Sequence, residues 1–334
     1  MGAKLKNDYL VDTLLSTKIN DYYFFLMENM ELGHLKSFNE NEINNCSELL
    51  CSYFIYQCLL GLKHMHSNLI VHRDIKLENI LINSKYQVKL ADFSMCLQLK
   101  EKQKYPISRS GTIPYLPPES FLIRTKSKSS SSSLNNQKNN TNCKKLNIIN
   151  KTSTFFNNPN LQNNNNCNGG HTKRYLSVES SLKKDIFALG IVMYRLLFKE
   201  HPFNYEYKMD RETYGKKIKN SHLSFRGKEL TSDCISFLEG LLKQNVHKRF
   251  NINEAINHSW IIKTQKIINS LIKKNIGKNK INLILLLNNY VYKEDNDFPN
   301  NRIFSDYSTK DSEDKEKEKF FIRLKRKRSN DEYY

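Results

Sequence analysis

Two pairs of short apolar segments predict β-hairpins. The segments Tyr9–Ser16 and Tyr22–Glu28 are rich in aliphatic and aromatic residues, and a polar connector with turn-forming residues separates them. The segments Asn79–Ile82 and Gln87–Leu90 flank a second polar turn in the same way. We therefore expect one hairpin near the N-terminus and a second one further along the chain.

Apolar residues at helical spacing predict that most of the remaining folded chain is helical. Between Glu48 and Met65 the apolar positions cover a wide arc, which is typical of a largely buried helix. The segment Asp185–Phe198 is apolar nearly all round, as in a helix at the centre of a helical lobe. Shorter helical patterns follow at Asp233–Leu242 and Ile252–Ile262. Together with the hairpins, these patterns predict an α+β fold that is mainly helical.

Two regions contain too few apolar clusters to build a core. Residues 126–170 combine a run of serines (129–133) with repeated asparagine blocks, a composition that favours disorder. From residue 263 onward the chain is rich in lysine, and only one apolar stretch (281–287) precedes a highly charged tail. We predict a disordered, low-complexity insert at 126–170 and a basic, largely disordered C-terminal extension at 263–334.

The charge balance bears on the kind of partner. The 334 residues include 53 Lys and Arg against 34 Asp and Glu, a formal net charge of +19. Such an excess would suit nucleic acid, but much of it consists of lysines scattered among asparagines in the segments without a core. We therefore do not expect a nucleic-acid partner. The basic cluster at 323–328 is compatible with nuclear import or with a solvated charged run.

Cysteine usage and hydropathy bear on location. The 7 cysteines form no C-x-x-C pair and no metal-type spacing, which indicates reduced thiols in an intracellular, cytoplasmic protein. Residues 1–30 lack the apolar core of a signal peptide, and no apolar run is long enough to span a bilayer. We expect no membrane partner.

The octet His72–Asn79 (HRDIKLEN) carries the most specific chemical pattern in the chain. Phosphoryl transfer needs a carboxylate that orients the attacking hydroxyl and accepts its proton, a cation for the developing negative charge, and a metal ligand. Asp74, Lys76 and Asn79 supply these groups in this order. Asp92 follows a strand-like segment and offers a second hard oxygen ligand for Mg²⁺.

The order of these motifs resembles that of the protein kinase superfamily, whose signature includes HRD, DFG and APE elements. Residues 111–119 (GTIPYLPPE) are similar to the family's substrate-docking segment, with Pro in the place of Ala. The resemblance covers roughly residues 9–262 outside the insert. It implies a catalytic role for Thr112 and structural or regulatory roles for His72, Arg73, Phe93, Ser108, Glu119, Asp185 and Arg249.

The resemblance assigns a particular task to several of these residues. It implies that Asp185 fixes the catalytic loop, residues 72–79, and that Arg249 pairs with Glu119. Lys76 in the catalytic loop favours serine/threonine specificity. Arg73 resembles the arginine that binds a phosphate on the activation segment, for which Ser108 is the candidate acceptor.

The resemblance also implies the cofactors and the domain boundaries. ATP and Mg²⁺ are the expected cofactors. Backbone groups of Glu28 and Met30 would contact the adenine. Lys76, Asn79 and Asp92 would lie near the phosphates, and Asn79 and Asp92 would hold the metal. Residues 1–30 then correspond to remnant N-lobe strands and the hinge, and 31–262 to a kinase C-terminal lobe interrupted by the insert. The substrate is expected to be a protein.

Two features of the kinase pattern are missing from this sequence. There is no G-x-G-x-x-G loop and no lysine in a V-A-I-K-like strand. A hairpin without the sheet it normally packs on would expose apolar residues, so either coding sequence lies upstream or a partner covers that face; we favour the first. The leading hypothesis is a serine/threonine protein kinase, with an activating kinase or a covering protein as a further partner. The alternative is a pseudokinase that acts as a non-catalytic interaction scaffold.

Overall fold

The described part of the chain begins at residue 6 and ends at residue 290. The computed structural model describes residues 6–41, 43, 46–108, 110–121, 175–274 and 281–290. All of these residues belong to one unit, which ends at Tyr290. The predicted insert at 126–170 and the basic cluster at 323–328 lie outside the described residues.

The described strands form two-stranded antiparallel sheets. The pairs are β1 (Thr13–Ile19) with β2 (Tyr22–Met27), β3 (Ile70–Val71) with β6 (Leu97–Gln98), β4 (Ile80–Ile82) with β5 (Val88–Leu90), and β7 (Tyr105–Pro106) with β8 (Tyr175–Leu176). Both predicted hairpins are present as β1–β2 and β4–β5. The first strand starts at Thr13 and not at Tyr9, because the residues before it pair with the second hairpin: Val11 N–H donates to the Leu90 carbonyl at 2.9 Å.

Helices are the most abundant secondary structure among the described residues. They are α1 (Leu35–Asn41), α2 (Glu48–Ser67), α3 (Val178–Phe198), α4 (Arg211–Asn220), α5 (Ser232–Leu241), α6 (Ile252–Ile256), α7 (Ser259–Lys274) and α8 (Ile281–Asn289). Together with the short sheets, they confirm the α+β, mainly helical kinase-like fold.

Helices α2 and α3 form the centre of the core. Each begins at a serine N-cap: the hydroxyl of Ser47 accepts the N–H of Leu50, and that of Ser177 accepts the N–H of Ser180. Both helices are buried over most of their surface, as their continuous apolar patterns predict. Gly190 permits a close approach, because a Cβ atom there would lie 2.8 Å from the Leu242 side chain.

The described part of the C-terminal extension differs from the prediction of a largely disordered segment. Helix α7 crosses the predicted boundary at residue 262, and α8 follows it. Ile268 and Leu271 of α7 and Leu287 of α8 are buried. These residues repeat at helical spacing among the lysines, so the high lysine content concealed an amphipathic helix.

The β1–β2 hairpin exposes its apolar side chains to solvent. From Leu14 to Met27 its residues are exposed on both faces, and Tyr22 and Phe25 keep 73% and 62% of their surface accessible. The sequence predicts this exposure, because a two-stranded sheet has too little surface to bury its own aromatic residues.

Candidate active site

The loop between β3 and β4 is anchored by a buried carboxylate on helix α3. Asp185 is fully buried and accepts hydrogen bonds from the backbone N–H groups of His72 and Arg73, both at 2.8 Å. His66 Nε2, at the end of α2, lies 3.0 Å from the same carboxylate. Burial raises the pKa of Asp185, but the hydrogen bond from His66 and the nearby histidines outweigh it and lower the pKa. Arg73, which has a left-handed backbone (φ +71°), is thereby held in place.

Three side chains of the loop and of the docking segment meet at the carboxylate of Asp74. Oδ2 accepts hydrogen bonds from Lys76 Nζ at 2.7 Å and from Asn79 Nδ2 at 3.1 Å. Oδ1 accepts from the backbone N–H of Thr112 at 3.0 Å and from its Oγ1 at 2.7 Å. Lys76 Nζ also donates to Thr112 Oγ1 at 3.2 Å. The structure thus brings together the four residues that the sequence analysis proposed as catalytic.

These contacts keep Asp74 ionised. Burial raises the pKa of this carboxyl group, but the hydrogen bonds from Lys76 and Thr112 outweigh burial and lower the pKa. An ionised carboxylate can accept the proton of a hydroxyl group that comes within hydrogen-bond distance. The loop therefore presents a base that is charged at neutral pH.

Asn79 and Asp92 approach each other through the β4–β5 hairpin. The N–H of Ala91 donates to the Asn79 carbonyl at 2.9 Å, which places the residue before Asp92 against Asn79. The side chain of Asp92 is exposed, and its Oδ1 accepts the N–H of Ser94 at 3.3 Å. Asn79 donates its amide N–H to Asp74, and its Oδ1 has no hydrogen bond within the described residues. Asn79 thus offers a candidate oxygen ligand for a metal ion beside Asp74, and Asp92, which follows Ala91, offers a second one.

His72 connects the catalytic loop to the segment around Asp92. Its Nε2 lies 3.1 Å from the Ala91 carbonyl, and its ring lies 5.7 Å from that of Phe93. Burial lowers the pKa of this histidine, so the neutral ring with Nε2–H donating is favoured. The predicted structural roles of His72 and Phe93 agree with this position.

Gly111 and Thr112 hold the docking segment directly against the catalytic loop. Gly111 has φ +108°, and a Cβ atom at this position would lie 2.4 Å from the Arg73 carbonyl oxygen. Only glycine fits so close an approach in this conformation. Ser108, the candidate phosphate acceptor, is half-buried, and its hydroxyl donates to Ser110 Oγ at 2.9 Å.

Glu119 and Arg249 form a buried bidentate ion pair. Arg249 Nη1 and Nη2 donate to the two oxygens of Glu119 at 2.8 Å and 2.9 Å. The guanidinium group also lies over the Phe187 ring, 4.7 Å from its centroid, and donates to the Lys183 carbonyl. The pair joins the end of the docking segment to the loop after α5, as the resemblance implies.

The hinge segment places Glu28 in an ion pair. Glu28 Oε1 accepts the N–H of Asp12 at 2.7 Å, and both carboxylate oxygens lie 2.8 Å from Lys89 Nζ. The backbone N–H of Glu28 donates to the Asp12 carbonyl at 3.1 Å. Among the described residues, the Glu28 carbonyl has no backbone partner and remains available to a ligand.

Met30 belongs to a small apolar cluster beside the polar site. It packs with Val11 and Ala91, while the partly buried Leu81 lies against them, apart from the main core. The Met30 carbonyl accepts the N–H of Gly33 at 2.9 Å, and the N–H of Met30 has no backbone partner among the described residues. Because Ala91 precedes Asp92, the apolar cluster adjoins the oxygen donors.

Sequence reasoning missed three charged or polar residues that support the site. His66 holds Asp185, Lys89 holds Glu28, and Lys184 contacts the main chain just before the docking segment. Each contact joins positions far apart in the chain, and such pairs leave no periodic signal in a single sequence. Helical spacing places His66 in the last turn of α2, but it gives no indication of its partner.

The helical lobe, the loop around Asp74 and the hairpin that leads to Asp92 define a kinase-like protein. The model of the protein kinase domain family matches residues 1–135 and 173–261, which is most of the chain. The chain therefore belongs to the protein kinase domain family.

Curated relatives carry serine/threonine kinase names. A probable serine/threonine-protein kinase of Dictyostelium discoideum is 37% identical over 36% of this chain and 24% of its own length. A probable cell cycle serine/threonine-protein kinase, a CDC5 homolog of Encephalitozoon cuniculi, is 24% identical over 80% of this chain and 45% of its own. An Aurora kinase of Debaryomyces hansenii is 25% identical over 66% of this chain and 40% of its own. The chain thus spans less than half the length of these relatives.

The described residues include neither a membrane-spanning helix nor a cluster of metal-binding side chains. None of the helices there is both long and apolar enough to cross a membrane. No group of three or more His, Cys, Asp or Glu side chains in that part of the chain is arranged to hold a metal ion.

Proposed function

We propose that this protein is a serine/threonine protein kinase that transfers a phosphoryl group from ATP to a hydroxyl group of a protein substrate. The observation that carries this proposal is the set of hydrogen bonds that joins Asp74 to Lys76, Asn79 and Thr112. The serine/threonine kinase names of the relatives support the same class of acceptor.

In this proposal, each residue of the loop has one task. Asp74, charged and held by three neighbours, orients the substrate hydroxyl and accepts its proton. Lys76, which bridges Asp74 and Thr112, places its positive charge where negative charge develops on the transferred group. Thr112 fixes the second oxygen of the Asp74 carboxylate. The carboxylate therefore keeps one orientation before the substrate arrives.

The residues present fit a magnesium-bound nucleotide. The free Oδ1 of Asn79 and the exposed carboxylate of Asp92 are the hard oxygen ligands that Mg²⁺ prefers, and these two residues would hold the metal. The cluster of Val11, Met30 and Ala91 offers an apolar surface for a planar base, with the Glu28 carbonyl and the Met30 N–H at its edge. The metal ion, when bound, neutralises charge on the phosphate oxygens.

The binding half of this proposal is tested by calorimetry with ATP in the presence and absence of Mg²⁺. We expect the wild-type chain to bind ATP only with Mg²⁺. The Asp92→Asn variant should bind at least about tenfold more weakly, a loss of about 1.4 kcal/mol or more. Asp21→Asn, in the exposed turn between β1 and β2, is the matched control and should bind like wild type. Equal binding by wild type and Asp92→Asn would contradict the assignment of the metal ligand.

A second candidate function is that of a kinase-like scaffold without catalysis. It is favoured by the apolar residues that the β1–β2 hairpin exposes, which a partner protein could cover. A scaffold of this kind would bind no Mg²⁺-ATP and would transfer no phosphate. Calorimetry therefore tests whether the two candidate functions differ in Mg²⁺-ATP binding. A phosphate-transfer assay tests whether they differ in catalysis.

We also propose an intracellular setting. The cysteines in the described part of the chain are free thiols, and four of them are buried: Cys46, Cys51, Cys58 and Cys234. A reducing compartment suits this arrangement.

A further inference from the structure

Helix α3 carries a buried lysine that the proposed chemistry does not use. Lys184 has 8% of its surface exposed, and burial lowers the pKa of its amine to about 8. A buried cation needs hydrogen-bond partners that replace its lost hydration. Lys184 directly precedes Asp185, the residue that anchors the catalytic loop, so its partners bear on the site.

The partners of Lys184 belong to the segment that precedes Gly111. Its Nζ donates to the backbone carbonyl oxygen of Ser110 at 2.5 Å and lies 3.4 Å from that of Ser108. The charged groups that act on the amine from farther away are Asp185 and Glu119, which favour its charge, and Arg73 and Arg211, which oppose it. The direct contacts are therefore made to the main chain of the segment that precedes Gly111.

This contact continues into the catalytic carboxylate through two residues. Gly111 follows Ser110 and lies against the Arg73 carbonyl, where no side chain would fit. Thr112 comes next, and both its N–H and its hydroxyl donate to Asp74 Oδ1. The segment is thus held at Ser110 from one side and at Thr112 from the other, with a close backbone contact between them.

We infer that Lys184 is a positioning residue: it fixes the main chain at Ser110 and thereby keeps Thr112 on the carboxylate of Asp74. The inference rests on the proposed kinase function for its catalytic consequence. Its structural part stands on the hydrogen bonds of Lys184 and Thr112. A charged amine bonded to two carbonyl oxygens can hold a backbone segment without a phosphate group or a metal ion.

Hydrogen–deuterium exchange on the full chain tests whether Lys184 fixes the main chain at Ser110 and keeps Thr112 on Asp74. We compare wild type with Lys184→Met, which keeps the length of the side chain and removes its N–H donors. The amide of Thr112 should exchange about tenfold faster in this variant, the effect of losing roughly one charge-assisted hydrogen bond. Lys184→Arg keeps cationic donors and should restore at least part of the protection. Lys183→Met is the matched control, because the Lys183 side chain pairs with Glu179 on the same helix.

A role in overall stability alone predicts a different result. In that case Lys184→Met would lower the unfolding temperature and raise exchange throughout the core, whereas a positioning role confines the change to residues 107–116. Unchanged exchange at Thr112, or a rise in the core of the same size, overturns the inference.

Enzyme kinetics test the catalytic consequence separately. If the wild type transfers phosphate, Lys184→Met should lower kcat by about tenfold while KM for ATP stays within about twofold. An unchanged kcat with loosened Thr112 overturns the catalytic role. If the wild type is inactive, the proposed function fails, and the exchange experiment still decides whether Lys184 holds the segment.

Discussion

At the scale of single residues, hydrogen bonds define the ionisation state of His201. Its Nδ1 accepts the N–H of Phe203 at 3.1 Å, so its Nε2 carries the proton that is donated to the Pro114 carbonyl at 2.8 Å. Burial lowers the pKa of this histidine to about 4, because the charged ring is poorly solvated and the nearby Arg195 repels it. A proton on Nδ1 would also break the bond to Phe203.

This pKa predicts how stability depends on pH. Between pH 6.5 and about 4 the unfolded chain binds a proton at His201 and the folded chain does not, so stability falls as the pH falls. The contribution of this residue amounts to about 3 kcal/mol over that interval. Urea unfolding at a series of pH values should show a shallower slope for His201→Gln than for wild type.

The exposed His247 provides the matched control for this prediction. His247→Gln should leave the pH dependence of unfolding as it is in wild type. If His201→Gln and wild type lose stability in parallel between pH 6.5 and 4, the neutral, buried state of His201 is wrong.

At the scale of structural elements, two buried carboxylates tie the loops of the candidate site to the helical core. Glu119 joins the docking segment to the loop after α5 through Arg249, and Asp185 of α3 holds the catalytic loop. Removal of one partner from a buried pair leaves an uncompensated charge, which costs more than the loss of an exposed pair. Breaking the pair of Glu119 and Arg249 should therefore cost more stability than breaking an exposed pair.

Glu119→Ala tests the strength of this tie. It leaves the guanidinium group of Arg249 buried without its carboxylate, and we expect it to lower the free energy of unfolding by about 3–5 kcal/mol. Glu212→Ala removes the exposed ion pair with Lys216 and should cost only about 0.5 kcal/mol. Chemical denaturation measures both values. Similar costs for the two variants would show that the buried pair has no special weight.

The sequence predicted these elements to different extents. Hydrophobic periodicity was sufficient for α2, α3 and both hairpins, because each buries a continuous apolar face. It failed at α7, where the high lysine content of the segment suggested disorder although Ile268 and Leu271 keep helical spacing. It also failed at the first strand, where pairing with Leu90 shifted the start to Thr13. The second failure arises because a tertiary contact, which a single sequence does not show, decided the local structure.

At the scale of the whole molecule, the candidate site was predictable and its supports were not. Asp74, Lys76, Asn79 and Asp92 have a fixed chemical order along the chain, which a motif preserves. Lys184 and His66 act through partners that the fold brings near, and nothing in their local sequence marks them. The site is therefore a motif held in place by contacts that only the folded structure reveals.

The central claim is that the loop around Asp74 transfers phosphate. The most direct test incubates the purified full chain with Mg²⁺ and labelled ATP and measures phosphate on serine and threonine of a generic basic protein. We predict transfer by wild type and by Asp21→Asn, and a loss of about 10²- to 10⁴-fold in Asp74→Asn, which keeps the shape of the side chain and removes the base. No transfer by wild type, or equal transfer by Asp74→Asn, would contradict the account.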